Sequence, residues 1–240
     1  MKNKTTMLLF TAIALSAGLL FATTANASLV FALGGQVVND TDHNITWLAN
    51  ANLADTQNFG VSGINANGTM NWNTAGLWIA AMNIANYLGY NDWRLPTVTD
   101  TDTPGCSDFA FSGTDCGFNV NTATGELAHL FYDELGNKSF YNASGIWPQS
   151  GWGLTNTGPF SNLQSTNYWS GPEYAQNTDF AWYFSMTNGV QHVTNNYHNL
   201  FALAVRPGQV AAVPEPATTW LLGLGLLGMV GAARRRLALR

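Results

Sequence analysis

An apolar segment lies at each end of this chain, and the two segments confine any folded domain to the sequence between them. The first, Met7 to Phe21, follows two lysines and precedes Ala25-Asn26-Ala27. A basic start, an apolar run and a small-residue cleavage site are typical of a secretory signal peptide. An uncleaved N-terminal anchor is the alternative, but the run is short for a membrane span. We predict a signal peptide over residues 1–27 and a mature protein that begins at Ser28.

The second apolar segment, residues 217–233, contains no charged residue and is rich in Leu and Gly. As a helix it would be about 25 Å long, slightly less than the thickness of the hydrocarbon core of a bilayer. An arginine cluster follows it, which predicts a cytoplasmic C-terminus by the positive-inside rule. We therefore predict that residues 217–240 form a transmembrane helix and an Arg-rich tail. A simple tail anchor is one interpretation of this pattern.

Three features at the C-terminal end occur in a specific order. The sequence Pro214, Glu215, Pro216 precedes the apolar segment, and Arg234, Arg235 and Arg236 follow it. This order resembles the PEP-CTERM sorting signal of Gram-negative bacteria. The resemblance implies recognition and cleavage by an exosortase-type membrane protease, followed by release into an extracellular polysaccharide matrix. We expect a protein that is exported, held in the inner membrane by its C-terminus, and then extracellular or at the cell surface.

The segment between the two ends, residues 28–213, is strongly acidic. It holds 13 of the 14 acidic residues but only three of the nine basic ones, so its formal charge is −10. This charge repels phosphate backbones and excludes nucleic acid as a partner. Anionic lipid and polyanionic glycan are disfavoured for the same reason. Eight of the nine Trp residues lie here, so the segment can form one domain with an aromatic core.

The only two cysteines, Cys106 and Cys116, lie in a stretch rich in Gly, Ser and Asp. In an oxidising compartment such a pair favours a local disulfide, worth about 2–3 kcal/mol in the chain-entropy model. A metal site is the alternative, but no His lies near them. Oxygen-rich loops also suit Ca²⁺, although no EF-hand spacing is present. The candidate calcium ligands are Asp100, Asp102, Asp108 and Asp115. The pattern supports them only weakly, and no cofactor is expected.

Residue patterns predict an α+β domain. Two runs of apolar residues at helical spacing, each run ending before a Gly, predict helices over residues 73–88 and 125–135. Alternating runs predict an opening hairpin over residues 36–48 and four short strands between residues 168 and 205. The last hairpin is expected to turn at Asn188-Gly189.

A fixed turn follows the first predicted helix. Its sequence is Asp92, Trp93, Arg94, Leu95, Pro96 and Thr97, and the proline forces the residue before it towards extended geometry. Cations are scarce in this domain, so we expect Arg94 and Arg206 to act as structural clamps that bind carbonyl and carboxylate groups. A ligand-binding role for the two arginines is the alternative.

The order of several motifs resembles the family found at the C-terminus of bacterial collagen-like adhesins, the Lcl C-terminal domain. The motifs are residues 92–97, Glu126-Leu127, Tyr168-Trp169-Ser170, Ala181-Trp182-Tyr183 and Val205-Arg206-Pro207. The resemblance implies a C-type-lectin-like domain over residues 28–207, with two helices packed on a twisted antiparallel sheet and long loops. Residues 208–216 would then form a linker. In the family, Arg-Leu-Pro-Thr runs almost directly into the Glu-Leu helix, whereas residues 98–125 intervene here.

We expect a non-catalytic module that binds a neutral glycan of the matrix or of a neighbouring cell. Sugar rings stack on aromatic faces, while Asn, Thr and Ser supply hydrogen bonds. Core packing is the alternative for each aromatic candidate, namely Tyr141, Trp147, Trp152, Trp169 and Tyr174.

Two other functions remain open on the sequence. One is a purely structural matrix protein. The other is an enzyme on the superfold of the formylglycine-generating oxidases, but that chemistry needs a reactive cysteine. The carboxylates of the second helix are expected to be solvated. The four histidines lack a metal-ligand spacing, and they are His43, His129, His192 and His198. We therefore predict that the protein is not an enzyme.

Overall fold

A computed structural model describes residues 28–101, 110–111 and 113–211. These residues form an α+β structure with two short helices and eight strands in two antiparallel sheets. The predicted signal peptide, the Pro-Glu-Pro motif, the apolar segment and the arginine cluster lie outside the described residues. Within the described ranges, no helix is both long enough and apolar enough to cross a membrane.

The first sheet contains the predicted opening hairpin. Strands β2 (Val37–Asp40) and β3 (Ile45–Leu48) pair antiparallel, with Val37 opposite Leu48. Strand β1 (Leu29–Ala32), which the sequence pattern did not predict, pairs with the outer side of β2. All residues of β2 and β3 are buried, so this hairpin forms part of the core.

The second sheet is a meander with a short fourth strand. Strands β5 (Asn167–Glu173), β6 (Phe180–Ser185) and β7 (Val190–Asn195) follow one another, as expected, and β4 (Gly117–Phe118) pairs with β7. The expectation of one twisted sheet is therefore corrected to two sheets.

The last strand accounts for this difference. Strand β8 (Val205–Pro207) pairs with β3 in the first sheet rather than with the meander. The strand predicted over residues 200–205 does not form as one element, because Leu200 and Phe201 make isolated bridges to Met70 and Tyr168. The C-terminal end of the domain thus links the meander to the opening hairpin.

Both predicted helices are present but shorter than the pattern indicated. Helix α1 (Trp72–Ile84) begins at Asn71, whose side chain accepts the Thr74 N–H at 2.8 Å. It ends before residue 88 because Asn86 adopts the left-handed conformation, with φ of 49°. The second helix has an α-helical turn, α2 (Glu126–His129), followed by a π-helical turn over residues 130–134. The π turn places side chains five residues apart next to each other.

Tryptophans dominate the core, and three of the buried ones bind the backbone. The indole N–H groups of Trp78, Trp93 and Trp169 donate to main-chain carbonyls at 2.8–3.1 Å. These three indoles therefore combine a large apolar surface with a satisfied donor. The fully buried tryptophans are Trp47, Trp78, Trp93, Trp169 and Trp182.

The folded unit continues past residue 207, where the domain was predicted to end. Val210 is only 3 % exposed, and its N–H and carbonyl both bind the side chain of Asn39, at 3.0 and 2.7 Å. These contacts fix residues 208–210 on β2, so they belong to the domain rather than to the linker.

Gly189 gives a test of the meander's last turn. It has φ of 76°, and an added Cβ would lie 3.0 Å from the Ser139 Cα and 2.6 Å from the Tyr132 hydroxyl. We expect Gly189→Ala to lower the free energy of unfolding by about 2–4 kcal/mol, because backbone strain and a clash add together. Gly136→Ala is the matched control: its φ is 62° but nothing lies within 4 Å, so about 1 kcal/mol is expected. Equal losses in urea unfolding of the two variants would contradict the packing described here.

Candidate functional site

Four aromatic rings form an exposed cluster in the long irregular segment after the second helix. This aromatic patch consists of Phe140, Tyr141, Trp147 and Trp152. Trp147 stacks on Phe140 with a centroid distance of 5.7 Å, and Trp152 meets the edge of Phe140 at 4.7 Å. Trp147 is 60 % exposed and Trp152 is 38 % exposed. Three of the five predicted ligand residues are thus brought together at one surface.

Hydrogen bonds hold the loop that carries the patch in a defined shape. The Asn142 side chain accepts the Ser144 and Ile146 N–H groups at 3.0 and 2.9 Å. The Phe140 N–H donates to the Asn188 carbonyl of the meander's turn, and the Phe140 carbonyl accepts from Gln149. Because these bonds fix the backbone of the loop, little backbone freedom is lost when a ligand binds.

Tyr141 connects the patch to the interior. Its ring lies 4.8 Å from that of the buried Phe118 and 6.2 Å from that of Trp147. The Asn119 side chain donates to the Tyr141 carbonyl at 2.8 Å. The exposed indoles therefore rest on a supported aromatic layer rather than on a free loop.

The other two aromatic candidates lie elsewhere. Trp169 is fully buried and its indole donates to the Met70 carbonyl, so the expectation of a ligand contact there is wrong. Tyr174 packs edge-on against Trp182 at 5.8 Å. Burial, with the negative charges of Asp100 and Asp115, raises the pKa of Tyr174. Trp169 belongs to β5, and its side chain lies in the core rather than at the surface.

Arg94 binds the start of the second helix. The two terminal nitrogens of its guanidinium each donate a hydrogen bond to one carboxylate oxygen of Glu126, both at 2.7 Å. The Thr97 N–H donates to the same carboxylate at 2.7 Å. The Glu126 side chain is only 13 % exposed, so the expectation that it would be solvated is wrong. This clamp ties the turn of residues 92–97 to α2 across the intervening residues 98–125.

A shallow cleft of about 360 Å³ runs beside this clamp. Among the described residues that line it, the only charged side chain is that of Arg94, whose terminal nitrogens already donate to Glu126. The cleft therefore offers few free polar groups to orient a ligand. Its lining residues include Trp72, Ile79, Leu95 and Pro172.

Arg206 forms a second clamp at the end of the domain. It donates to both oxygens of Asp92, at 2.7 and 2.8 Å, and lies 4.0 Å above the Tyr90 ring. The hydrogen bond from Arg206 lowers the pKa of Asp92 below its usual value. The two arginines thus bind carboxylates of the domain itself.

The Asp92 pKa gives a pH-dependent prediction. A carboxyl whose pKa is lowered by folding stabilises the fold above its unfolded pKa, and this contribution is lost as the pH falls through the folded pKa. We expect Asp92→Asn to lower the free energy of unfolding by about 1 kcal/mol at pH 7, with the difference from wild type vanishing towards pH 2. Urea unfolding across this range measures it. Asp179→Asn, at an exposed position, should change little at any pH, and a loss at Asp92 that persists at pH 2 would contradict the clamp.

The structure describes only some of the residues on which the cysteine and calcium predictions rest. Cys116 is 2 % exposed, and no cysteine of the described residues is a free thiol. Asp115 is buried and accepts the Thr101 N–H at 2.6 Å. Cys106, Asp102 and Asp108 lie outside the described residues. The pairing of the two cysteines and the calcium site therefore stay predictions.

The fold also assembles a group that sequence spacing missed. The possible ligand atoms of Asp40, His43 and His129 all lie within 4.8 Å of one another. The two histidines come from the opening hairpin and the second helix, so no linear motif joins them. The sequence offered one sign of this group: His43 follows Asp40 by three residues, and a tight turn brings two side chains at that spacing together.

Two family models match the chain. The model described as the Lcl C-terminal domain matches residues 36–206, and the PEP-CTERM protein-sorting motif matches residues 212–236. The first match covers both arginine clamps and the aromatic patch. No curated protein and no solved structure matches the chain.

Proposed function

Because this chain belongs to the Lcl C-terminal domain family and carries a PEP-CTERM sorting motif, we propose that it binds a neutral glycan outside the cell. The motif marks an exported, surface-associated protein and implies processing by an exosortase, which is a membrane protein. The proposed layout is a signal peptide over residues 1–27, a C-type-lectin-like domain, and a transmembrane helix within residues 217–240. The polysaccharide of the matrix is the proposed partner.

The observation that carries this proposal is the exposed aromatic patch. Trp147 and Trp152 present indole faces on a hydrogen-bonded loop, and pyranose rings bury their C–H faces on such surfaces. Amide and hydroxyl side chains around the loop can bind sugar hydroxyls. An exposed cluster of apolar rings of this kind is typical of a binding surface.

Charge favours a neutral ligand. The domain carries a formal charge of −10 between residues 28 and 213. Arg94 and Arg206 both bind carboxylates of the domain, so neither is free for a sulfate or carboxylate of an acidic glycan. A polyanionic glycan would therefore meet net repulsion.

A non-catalytic role is part of the proposal. The clamps and the patch hold and present side chains, and neither contains a nucleophile beside a general base. The structural matrix role is the competing function, and it differs in needing no sugar contact.

Calorimetric titration separates these two functions. The purified protein is titrated with neutral exopolysaccharide from the producing cells, and with an acidic polysaccharide as the control. Saturable heat with the neutral polymer alone is expected. Absence of heat with both polymers would leave the structural role, and tighter binding of the acidic polymer would overturn the charge argument.

A further inference from the structure

We propose that Asp40, His43 and His129 bind a Zn²⁺ ion, with Glu134 beside the fourth coordination position. This site is separate from the aromatic patch and does not depend on the proposed function. It lies where the turn after β2 meets the π turn of the second helix.

The candidate ligand atoms lie close to the spacing that one tetrahedral ion requires. Zinc bonds of 2.0–2.1 Å at tetrahedral angles separate neighbouring ligand atoms by about 3.3 Å. The His129 Nε2 atom lies 3.8 Å from the Asp40 Oδ2 and 3.1 Å from the Glu134 Oε1. The His43 ring approaches the His129 ring edge-on, with centroids 3.7 Å apart. Two imidazoles on one tetrahedral ion hold their centroids about 5 Å apart, so ion binding requires the exposed His43 ring to move away from His129.

The π turn accounts for the position of Glu134. His129 and Glu134 are five residues apart, a spacing that an α-helix would place on diverging directions and a π turn places side by side. The Glu134 side chain is only 2 % exposed, which corrects the expectation that it would be solvated. The irregular turn therefore directs a buried carboxylate at the histidine.

Outer hydrogen bonds orient Asp40 and His129. The His129 Nδ1 lies 3.0 Å from the Asp133 carboxylate, which holds the ring so that Nε2 faces Asp40 and Glu134. The Asp40 carboxylate accepts the Trp47 indole N–H at 3.3 Å and the His43 N–H at 3.0 Å. A histidine held by a carboxylate on its far side is the usual second shell of a zinc ligand.

Charge supports a cation at this point. Asp40 is fully buried, Glu134 nearly so, and both face the same imidazole nitrogen. Arg94 and Arg206 are paired elsewhere, so neither balances these carboxylates. Buried charges are stable when paired or bound to a metal. A protonated His129 would supply one positive charge, whereas Zn²⁺ supplies two and also uses His43.

The ligand types select the ion. Two imidazole nitrogens with carboxylate oxygens suit Zn²⁺ and its neighbours, whereas Ca²⁺ and Mg²⁺ prefer all-oxygen sites. Because Zn²⁺ does not change oxidation state, an exported domain can bind it outside the cytoplasm without a redox step. The proposed role is to fix the second helix on the opening hairpin.

Metal binding by the untagged full-length chain tests the site. We expect one Zn²⁺ per chain after loading and dialysis, measured by mass spectrometry, and tetrahedral cobalt absorption when Co²⁺ replaces zinc. Free Zn²⁺ at roughly 100 times Kd should raise the melting temperature by about 5–10 °C relative to protein in chelator.

Three variants keep the test falsifiable. His43→Ala, at an exposed position, should fold normally in chelator but lose at least about 10-fold in zinc affinity. Asp133→Asn should weaken binding by about 10–100-fold through the His129 orientation alone. His198→Ala, an exposed histidine far along the chain, should bind like wild type. No zinc retained by the wild type, or equal affinity in His43→Ala and His198→Ala, would overturn the proposal.

Discussion

Trp169→Ala is expected to lower the free energy of unfolding by about 3–5 kcal/mol, the largest loss predicted for a single side chain. Trp169 is fully buried in β5, and its removal leaves a cavity among rigid neighbours. The Met70 carbonyl keeps the Leu200 N–H as a donor at 2.9 Å, so the loss comes mainly from packing. A loss of this size is a large part of the stability of a typical domain. Chemical denaturation with two-state analysis measures it.

Trp147→Ala provides the matched control, since it removes the same side chain from a position that is 60 % exposed. We expect its free energy of unfolding to stay within about 1 kcal/mol of wild type. Similar losses for the two variants would show that the aromatic patch belongs to the core, and would contradict its proposed role as a binding surface.

The second large effect concerns affinity. Replacing both Trp147 and Trp152 with Ala is expected to weaken binding of the neutral glycan by at least about 100-fold. Both indole stacking faces are lost, and the smaller Phe140 ring on which the two indoles pack offers less stacking surface. Each single variant should weaken binding by about 10-fold. Calorimetric titration with the same polymer gives these values directly.

Tyr197→Ala is the control for this effect. Tyr197 is 67 % exposed and its ring lies edge-on to the His198 ring, outside the patch, so its removal tests whether any exposed aromatic residue contributes. Unchanged affinity is expected. An equal loss in Tyr197→Ala and in the double variant would mean that the glycan binds without the patch.

Local patterns in the sequence predicted elements better than they predicted contacts between elements. The Val37–Leu48 hairpin, both helices and the three-stranded meander follow from apolar spacing and turn residues, and the structure contains them. The C-terminal end of α1 was misplaced because a left-handed Asn86, rather than Gly89, stops the helix. A non-Gly residue in that conformation gives no reliable sequence signal.

Long-range pairing explains the division into two sheets. Val205 pairs with Trp47, which lies far away in the sequence, and no local pattern indicates this partner. Strand β1 was missed because it continues from the predicted signal peptide and contains no turn residue at its start. The first error concerns which strands meet, whereas the second concerns which residues are extended.

The candidate sites show the same limit. Aromatic composition could identify Tyr141, Trp147 and Trp152, but alternation could not separate them from the buried Trp169. The carboxylates of Glu126 and Glu134 were predicted to be solvated, because carboxylates on helix faces usually are. In the structure Glu126 pairs with Arg94 and Glu134 pairs with His129, and both carboxylates are largely buried. Partners for such groups depend on tertiary structure.

The most direct test follows the protein in producing cells. Wild-type chain and the Trp147→Ala, Trp152→Ala double variant are each expressed, and the processed protein is quantified in the polysaccharide matrix and in the surrounding medium. We predict that both are exported and cleaved, that wild type is retained in the matrix, and that the double variant appears in the medium. Equal retention of the two processed proteins would contradict glycan binding through the aromatic patch.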